Sequence, residues 1–329
     1  MRRSKKKSHK SIIIILLAII GLLFIFDDVD KETSVKIEKG LSTPQIADIL
    51  KKNDVIPSKT AFLLFVNFSE YRGKLQYGTF NFEEGDGYFE IIRKLATSGA
   101  KKETVTVTIP EGYSVEKIVK KLVDSGLGTQ REYEVALKEN YDYEFIKHIN
   151  STPKCNYKLQ GFLFPATYEF YTDDMPHKII DTMLKEFEKQ YGSLGASYDN
   201  IYEIITKASL IEREAKIDSE RSKIAGVIEN RLKKDMRLQI DATVVYAISN
   251  GLYDVERVLY KDLETNSPYN TYKITGLPVG PISNPGIKSI KAALNPDNHN
   301  YLYYRTDENK NDGSHIFTEN FEAHTNANN

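Results

Sequence analysis

The chain begins with a basic stretch that is followed by an unbroken apolar run. Residues 1–10 carry six lysines and arginines and no acid, and residues 12–26 carry no polar side chain. As a helix the apolar run would be about 22 Å long at about 1.5 Å per residue, against roughly 30 Å for the hydrocarbon core of a bilayer. A cleaved signal peptide needs small residues near the cut, but an acidic stretch follows at 27–32. A buried core helix is disfavoured because the run is apolar all round and lies beside six charges. The pattern favours an uncleaved single-pass anchor over 11–26, with its basic flank in the cytoplasm and everything after it outside.

Three later segments share one pattern, in which alternating residues lead through a glycine into an amphipathic stretch. The alternating and helical parts are 34–40 with 43–52, 78–85 with 91–95, and 105–112 with 115–122. A change from period two to period 3.6 across a glycine predicts a strand followed by a helix. The first two units predict a small module over 34–103 after a linker over 27–33. The module resembles the LysM-type modules that bind cell-wall glycans. The alternative is a set of ordinary strand–helix units without a ligand.

The remainder of the chain, 104–329, predicts a larger domain in which helices and loops alternate. Apolar periodicity predicts helices over 176–191, 201–217 and 220–234. A proline-rich stretch predicts a long ordered loop over 266–286, and the aromatic stretches 301–305 and 315–317 predict a hairpin. The predicted fold class is therefore α+β, with a transmembrane helix, a small βα module and a larger mixed α/β domain.

Composition narrows the class of function. The 329 residues include one cysteine, Cys155, which excludes an internal disulfide and a cysteine-based metal cluster. The net charge is −1, but six of the 45 basic residues lie within 1–10, which leaves 39 against 46 acidic residues, or −7, for 11–329. A body this acidic disfavours nucleic-acid binding. The six histidines are scattered without a helical ligand spacing, so we expect no metal and no cofactor.

One glutamate occupies an unexpected face of the predicted helix 201–217. At 100° per residue, Glu212 falls within the apolar stripe, whereas Glu203 and Glu214 fall on the opposite face. The stripe consists of Ile201, Ile204, Ile205 and Ala208. A carboxylate buried there must be protonated, paired with a cation or used in the chemistry of the protein, because an unpaired buried charge is costly. Glu212 is therefore either a proton donor in apolar surroundings or half of an internal ion pair with an arginine such as Arg221 or Arg231.

A polar and aromatic set of side chains recurs in the last third of the chain. Its members are Gln239, Asp241, Tyr246, Tyr269, Asn270, Tyr272, Tyr303, Tyr304 and His315. Such groups stack on and hydrogen-bond to sugars. The alternative is that most of these tyrosines serve packing.

Several ordered blocks resemble the endolytic murein transglycosylases, the YceG-like family. The run Ala208–Ala215, A-S-L-I-E-R-E-A, is similar to the family signature that contains the catalytic acid. The other similar blocks are 161–168, 229–232, 237–246, 267–272, 276–286, 292–296, 301–303 and 315–317. The resemblance covers 105–325, and the anchor and the LysM-like module fit it too.

The resemblance implies a membrane-anchored lyase that cuts nascent peptidoglycan strands internally, between N-acetylmuramic acid (MurNAc) and N-acetylglucosamine (GlcNAc), and so ends their elongation. Glu212 matches the family's catalytic acid. It would protonate the glycosidic oxygen and then take the proton of the MurNAc C6 hydroxyl, whose intramolecular attack leaves an anhydro-MurNAc end. No cofactor is implied. The implied partners are glycan strands, the membrane and cell-wall synthases.

The same blocks mark candidate substrate-binding residues. They are Gln160, Gln239, Asp241, Thr243, Tyr246, Tyr269, Asn270, Tyr272, Asn284 and His315. Gln160 and Ala166 stand where the family usually has acids, and Ala242 where it has proline, so a second acidic helper at 160–166 is in question. Two alternatives stay open: a non-catalytic scaffold that binds glycan, and a hydrolase that uses water and a second carboxylate such as Asp241.

Overall fold

The computed structural model describes residues 31–97, 104–149, 154–255, 257–310 and 312–327. They form two compact units, one ending at Thr104 and one beginning at Val105. The predicted anchor 11–26 and the basic tail 1–10 lie outside the described residues. Across the part of the chain that is described, no helix is both long and apolar enough to cross a bilayer.

The first unit combines a two-stranded antiparallel sheet with three helices. Its elements are β1 (Thr33–Ile37), α1 (Thr43–Lys52), α2 (Lys59–Phe68), β2 (Gly78–Phe82) and α3 (Tyr88–Thr97). In the sheet, Val35 lies opposite Phe80. Alternate side chains of both strands, Val35 and Ile37 from β1 and Phe80 and Phe82 from β2, are buried. The alternation that predicts the strands therefore also supplies their core face.

The second unit is built largely from helices. Its elements are β3 (Thr104–Thr108), α4 (Val115–Asp124), α5 (Gln130–Ala136), α6 (Glu144–Lys147), β4 (Thr167–Tyr171), α7 (Pro176–Gly192), α8 (Ile201–Glu214), α9 (Arg221–Lys233), α10 (Asp241–Ile248), α11 (Ile287–Leu294), β5 (Tyr303–Thr306), β6 (His315–Thr318) and α12 (Phe321–Thr325). Single 3-10 turns occupy Asp218–Glu220 and Tyr260–Glu264. Strand β3 pairs with β4 and β5 pairs with β6, in separate two-stranded sheets. Helix α8 packs against α9, α10 and α11, so it lies among the elements that carry the candidate site.

Most predicted elements are present, and the differences have local causes. All three strand–glycine–helix units form, as do the predicted hairpin and the loop over 266–286. The predicted helix 201–217 ends earlier, because Ala215 leaves helical geometry at φ −74° and ψ 117°. Helix α2 was not predicted. It carries apolar residues on both faces, with Phe62 buried and Phe68 85% exposed, and this hides the helical period.

Asn284 anchors the long loop to two distant segments. Its Oδ1 accepts hydrogen bonds from the backbone N–H groups of Gly161 (3.0 Å) and Leu163 (2.9 Å). Its Nδ2 donates to the carbonyl of Tyr113 at 2.9 Å, and its backbone pairs with Gly112 and Tyr113. The residue is fully buried. All of its polar atoms are thus engaged inside the protein, and they help to order the loop.

Replacing this anchor is expected to destabilise the second unit. Asn284→Ala leaves two buried N–H groups without an acceptor, which costs about 2–4 kcal/mol. Urea denaturation measures the change. Asn298→Ala is the control because Asn298 is exposed, and its effect should stay within about 0.5 kcal/mol. Equal effects of the two substitutions would contradict the anchoring role.

Candidate active site

A cavity of about 400 Å³ lies in the second unit where α8 ends. It is lined by Glu214, Arg231, Leu238, Gln239, Asp241, Tyr272, Tyr303, Tyr304, Phe321 and His324. These residues come from α8, α9, the start of α10, β5 and α12, together with the loops that precede and follow α10. The cavity therefore brings together three carboxyl or amide side chains, two basic groups and four aromatic rings. This is a surface suited to a sugar.

Glu214 supplies the cavity with a carboxyl group in a water-poor position. It is the last residue of α8, and the hydroxyl of Tyr304 donates a hydrogen bond to its Oε2 at 2.8 Å. Burial raises the pKa of Glu214 above its ordinary value, and the nearby charge of Asp241 raises it further, while the Tyr304 hydrogen bond opposes both. A carboxyl with a raised pKa can donate a proton in weakly acidic to neutral solution.

The helical wheel is wrong about the surroundings of Glu214. It places this residue on the exposed face of α8, but the side chain is half-buried. The reason is that α8 is covered on two sides. The apolar stripe faces the core, and the hairpin β5–β6 returns about ninety residues later to put Tyr304 over the other side.

Glu212 lies in a different environment, two residues earlier on the same helix. The predicted burial is confirmed, since its side chain is only 6% exposed. Its Oε1 accepts from Arg221 Nη1 at 3.3 Å, and its Oε2 accepts from the backbone N–H of Gly286 at 3.0 Å. Arg221 also donates to Asp218 Oδ1 (3.1 Å) and Ser289 Oγ (2.5 Å). The internal ion pair with Arg221 is therefore the interpretation of Glu212 that the structure supports, and Glu212 does not line the cavity.

A third carboxyl group, which the sequence analysis did not single out, lies near Glu212. Burial raises the pKa of Glu111, and the charge of Glu212 adds to the rise, whereas Arg221 lowers it. The Glu111 carboxylate packs so closely on Gly286 that any Cβ there would collide with it. Glu111, Glu212 and Arg221 form a charged cluster from the turn before α4, the end of α8 and the start of α9.

Gln239, Asp241 and Tyr272 are the predicted substrate-binding residues that the cavity unites. The hydroxyl of Tyr272 donates to Asp241 Oδ1 at 2.5 Å. Gln239 adopts φ +52°, a left-handed conformation that costs a non-glycine residue about 1 kcal/mol or more. Its N–H is fixed on the carbonyl of Thr271 at 3.1 Å. This backbone hydrogen bond holds Gln239 in its left-handed conformation, with its side chain at the cavity wall.

The other predicted substrate-binding residues serve the interior of the protein. They are Gln160, Thr243, Tyr246, Tyr269, Asn270, Asn284 and His315, and none of them lines the cavity. Gln160 Oε1 accepts from the N–H of Val115 at 2.9 Å, and Asn270 Nδ2 donates to two loop carbonyls. His315 Nδ1 lies 2.7 Å from Glu220 Oε2. These three side chains thus have polar partners within the chain, although Gln160 Nε2 is buried with no partner among the described residues.

Several cavity residues escaped the sequence analysis as site candidates. They are Glu214, Arg231, Leu238, Phe321 and His324. Glu214 and Arg231 lie inside the blocks 208–215 and 229–232. The family resemblance therefore identifies the two segments but does not single out these two residues. Phe321 and His324 carried no such signal.

Known proteins share the sequence and the fold of this chain. The sequence model described as the YceG-like family matches residues 35–329. A Bacillus subtilis protein named endolytic murein transglycosylase is 37% identical over 334 residues, which cover 94% of this chain and 90% of that protein. A protein of the same name from Streptococcus pneumoniae is 28% identical and matches 84% of this chain and 54% of its own length. A crystal structure of a YceG-like protein from Listeria monocytogenes has a TM-score of 0.57 and 30% identity, and covers 91% of this chain and 99% of that one. The protein described here belongs to the YceG-like family.

Proposed function

We propose that this protein is an endolytic murein transglycosylase, a lyase that cuts peptidoglycan strands between MurNAc and GlcNAc and leaves anhydro-MurNAc ends. The observation that carries the proposal is the Glu214 carboxyl, whose pKa burial raises, in the wall of a cavity lined with tyrosines and amide and carboxyl groups. The relatives in Bacillus and Streptococcus carry the name of this activity.

Glu214, rather than Glu212, is the acid that the geometry favours. A general acid must reach the glycosidic oxygen and must hold a proton before the reaction. Glu214 faces the cavity and has a raised pKa. Glu212 accepts hydrogen bonds from Arg221 and Gly286 with its two oxygens and does not line the cavity.

The reaction needs one carboxyl in two successive roles. Protonated Glu214 gives its proton to the glycosidic oxygen, and the bond from that oxygen to the MurNAc anomeric carbon breaks. Glu214, now a carboxylate, accepts the proton of the MurNAc C6 hydroxyl, and the C6 oxygen forms the new bond to the anomeric carbon of the same sugar. No water is consumed, and the intramolecular attack has a high effective molarity. The Tyr304 hydroxyl stabilises the carboxylate form between the two steps.

A hydrolase is the second candidate, and Asp241 is the observation in its favour. Asp241 lies in the same cavity as Glu214, as the second carboxylate of an ordinary glycosidase would. The tyrosine hydroxyl at 2.5 Å holds it in place. In the lytic route the same carboxylate stabilises positive charge at the anomeric carbon. Mass spectrometry separates the two routes, because hydrolysis adds one water per cleaved bond, which leaves the MurNAc-ended product one water heavier than its anhydro counterpart.

The surroundings of the catalytic unit extend the proposal. The apolar run 12–26 and its basic flank support a single-pass anchor that holds the enzyme at the cell membrane, with the N-terminus in the cytoplasm and the site outside. The order β1–α1–α2–β2 of the first unit, two helices between paired antiparallel strands, supports a LysM-like glycan-binding module. Cell-wall synthases are the protein partners that this location would bring near.

The acid assignment predicts opposite effects for two neighbouring glutamates. With the fragment 31–329 and purified peptidoglycan, Glu214→Gln should lower the yield of anhydro-MurNAc ends by about 10²–10⁴-fold, as expected for loss of a general acid. Glu212→Gln is the matched control. It should weaken the fold, because Arg221 loses a partner, and should keep activity within about tenfold of wild type. Loss of activity in Glu212→Gln, with activity retained in Glu214→Gln, would instead identify Glu212 as the acid. Glycan binding without cleavage by the unmodified fragment would identify a scaffold.

A stability measurement separates lost chemistry from lost folding. Because the pKa of Glu214 is raised in the folded protein, folding takes up protons, and this group's contribution to stability falls as the pH rises above the pKa of an unfolded glutamate. Glu214→Gln removes that dependence. We expect the variant to be at least as thermally stable as wild type at pH 8 and to lose this advantage near pH 4. A variant that melts well below wild type at pH 8 would contradict the buried position.

The pH profile should report the Tyr304–Glu214 hydrogen bond. The protonated form of Glu214 is the active one, so kcat/KM falls as the pH rises through its pKa. Since the Tyr304 hydroxyl lowers the pKa of Glu214, Tyr304→Phe should shift this descending limb to higher pH. Profiles recorded between pH 4 and 9 measure the shift. A limb that moves to lower pH, or does not move, would contradict Glu214 as the acid.

A further inference from the structure

Arg231 places a buried positive charge on the cavity without a matching carboxylate. The residue is 9% exposed and lines the cavity. Its Nε donates to the carbonyl of Leu302 at 2.6 Å, and its Nη1 donates to the carbonyls of Arg237 (3.1 Å) and Leu238 (2.9 Å). Within the described ranges, Nη2 has no hydrogen-bond partner and no acid lies within ion-pair distance of the guanidinium. Three backbone carbonyls fix the group but leave its charge unbalanced.

The other buried arginine of the same region shows the contrast. Arg221, at the start of the same helix α9, pairs with Glu212 and Asp218. A guanidinium taken from water normally has such a partner, because burial of an unpaired charge is costly. Burial lowers the pKa of Arg231, which shows the same cost. An unpaired, immobilised cation in a cavity wall is the arrangement expected where a ligand supplies the anion.

Aromatic groups shape the space around this cation. The guanidinium carbon of Arg231 lies 5.0 Å from the ring centroid of Tyr303, and His324 stacks on the same ring at 5.3 Å between centroids. Burial lowers the pKa of His324, and the charges of Arg305 and Arg231 lower it further. His324 is therefore neutral near pH 7. Its Nδ1 is buried, and no hydrogen-bond partner lies among the described atoms. This side of the cavity offers one planar cation and one neutral ring nitrogen.

The cavity thus carries side chains of both charge signs. Glu214 and Asp241 lie on it as the acidic groups, and Arg231 is its cation. Of the two sugars in a peptidoglycan strand, only MurNAc carries an acyl substituent outside the acetamido group, the lactyl ether on O3. That substituent ends in a carboxylate, or in an amide carbonyl where a stem peptide is attached. Both present oxygens to a guanidinium.

We propose that Arg231, stacked on Tyr303, is the subsite that binds the lactyl acyl group of MurNAc. The inference rests on the proposed function and adds a source of specificity to it. Docking of the lactyl group on Arg231 fixes which sugar of the strand lies beside Glu214. It therefore presents the C6 hydroxyl of MurNAc, and not that of GlcNAc, to the acid. Arg231 is in this sense a specificity-determining residue.

The test is a binding experiment that does not depend on turnover. The full chain with the substitution Glu214→Gln is titrated with MurNAc, with the amide of its lactyl group and with GlcNAc, and binding is followed by calorimetry and by the NMR signals of labelled arginine side chains. We expect MurNAc to bind about tenfold or more tightly than GlcNAc, as one charge-assisted hydrogen-bonded contact provides. The MurNAc and amide arms distinguish a carboxylate from a carbonyl ligand. Equal binding of all three sugars would overturn the proposal.

Substitutions locate the preference. Adding Arg231→Gln should remove the preference for MurNAc and leave GlcNAc binding unchanged, and Arg231→Lys should keep part of it, because the charge remains but the planar fork is lost. Arg257→Gln, at an exposed arginine outside the cavity, is the charge-matched control and should keep the full preference. A loss caused equally by Arg257→Gln would also overturn the proposal.

Two further results keep the inference testable. Arg231 also holds two loops, so its variants are compared by circular dichroism. If they unfold, the arginine NMR signals of the parent chain decide, since the signal of Arg231 should shift with MurNAc and not with GlcNAc. If the protein prefers MurNAc but yields no anhydro-MurNAc ends, the Arg231 subsite is supported and the transglycosylase activity is contradicted. If it yields anhydro-MurNAc ends without preferring MurNAc, the activity is supported and the subsite is contradicted.

Discussion

The site depends on one constraint, the partial burial of the carboxyl group at the end of α8. The helix delivers Glu214 to the cavity, and the hairpin β5–β6 returns from far along the chain to place the Tyr304 hydroxyl 2.8 Å from it. In water this carboxyl would be ionised at neutral pH. Burial beneath the hairpin raises its pKa, and a carboxyl group with a raised pKa is suited to donate a proton. One covering strand thereby decides the chemistry of the cavity.

Glu212 and Glu214 show that position on a helix does not define the role of an acid. They are two residues apart and both are shielded from water, but their partners differ. Glu212 accepts hydrogen bonds from the guanidinium of Arg221 and from a backbone N–H. Glu214 meets a neutral hydroxyl and the like charge of Asp241. The first arrangement joins α8 to α9 and to the start of α11, and the second raises the pKa of its carboxyl group. A family signature that contains both acids cannot by itself show which one forms the ion pair and which one lines the cavity.

Local patterns account for the part of this structure that could be predicted. Periodicity located the strand–glycine–helix units, α7 to α9 and the hairpin, because each is a property of neighbouring residues. The burial of Glu212 was predicted for the same reason. The position of Glu214 was not, since the wheel allows a helix one buried face and α8 has two. Asn284 and Gln160 were assigned to the substrate, but their hydrogen bonds join segments that lie more than forty residues apart. No local pattern reveals such a partner.

Asn284 also determines when the catalytic unit can assemble. Its side chain joins positions 121, 123 and 171 residues away in sequence, and Cys155 cannot form a disulfide to help. Contacts of such separation close large loops and tend to form late and slowly. The last third of the chain must therefore be synthesised before the first third of this unit is secured. The long loop can therefore be secured to the start of α4 only after the segment that carries Asn284 has been synthesised.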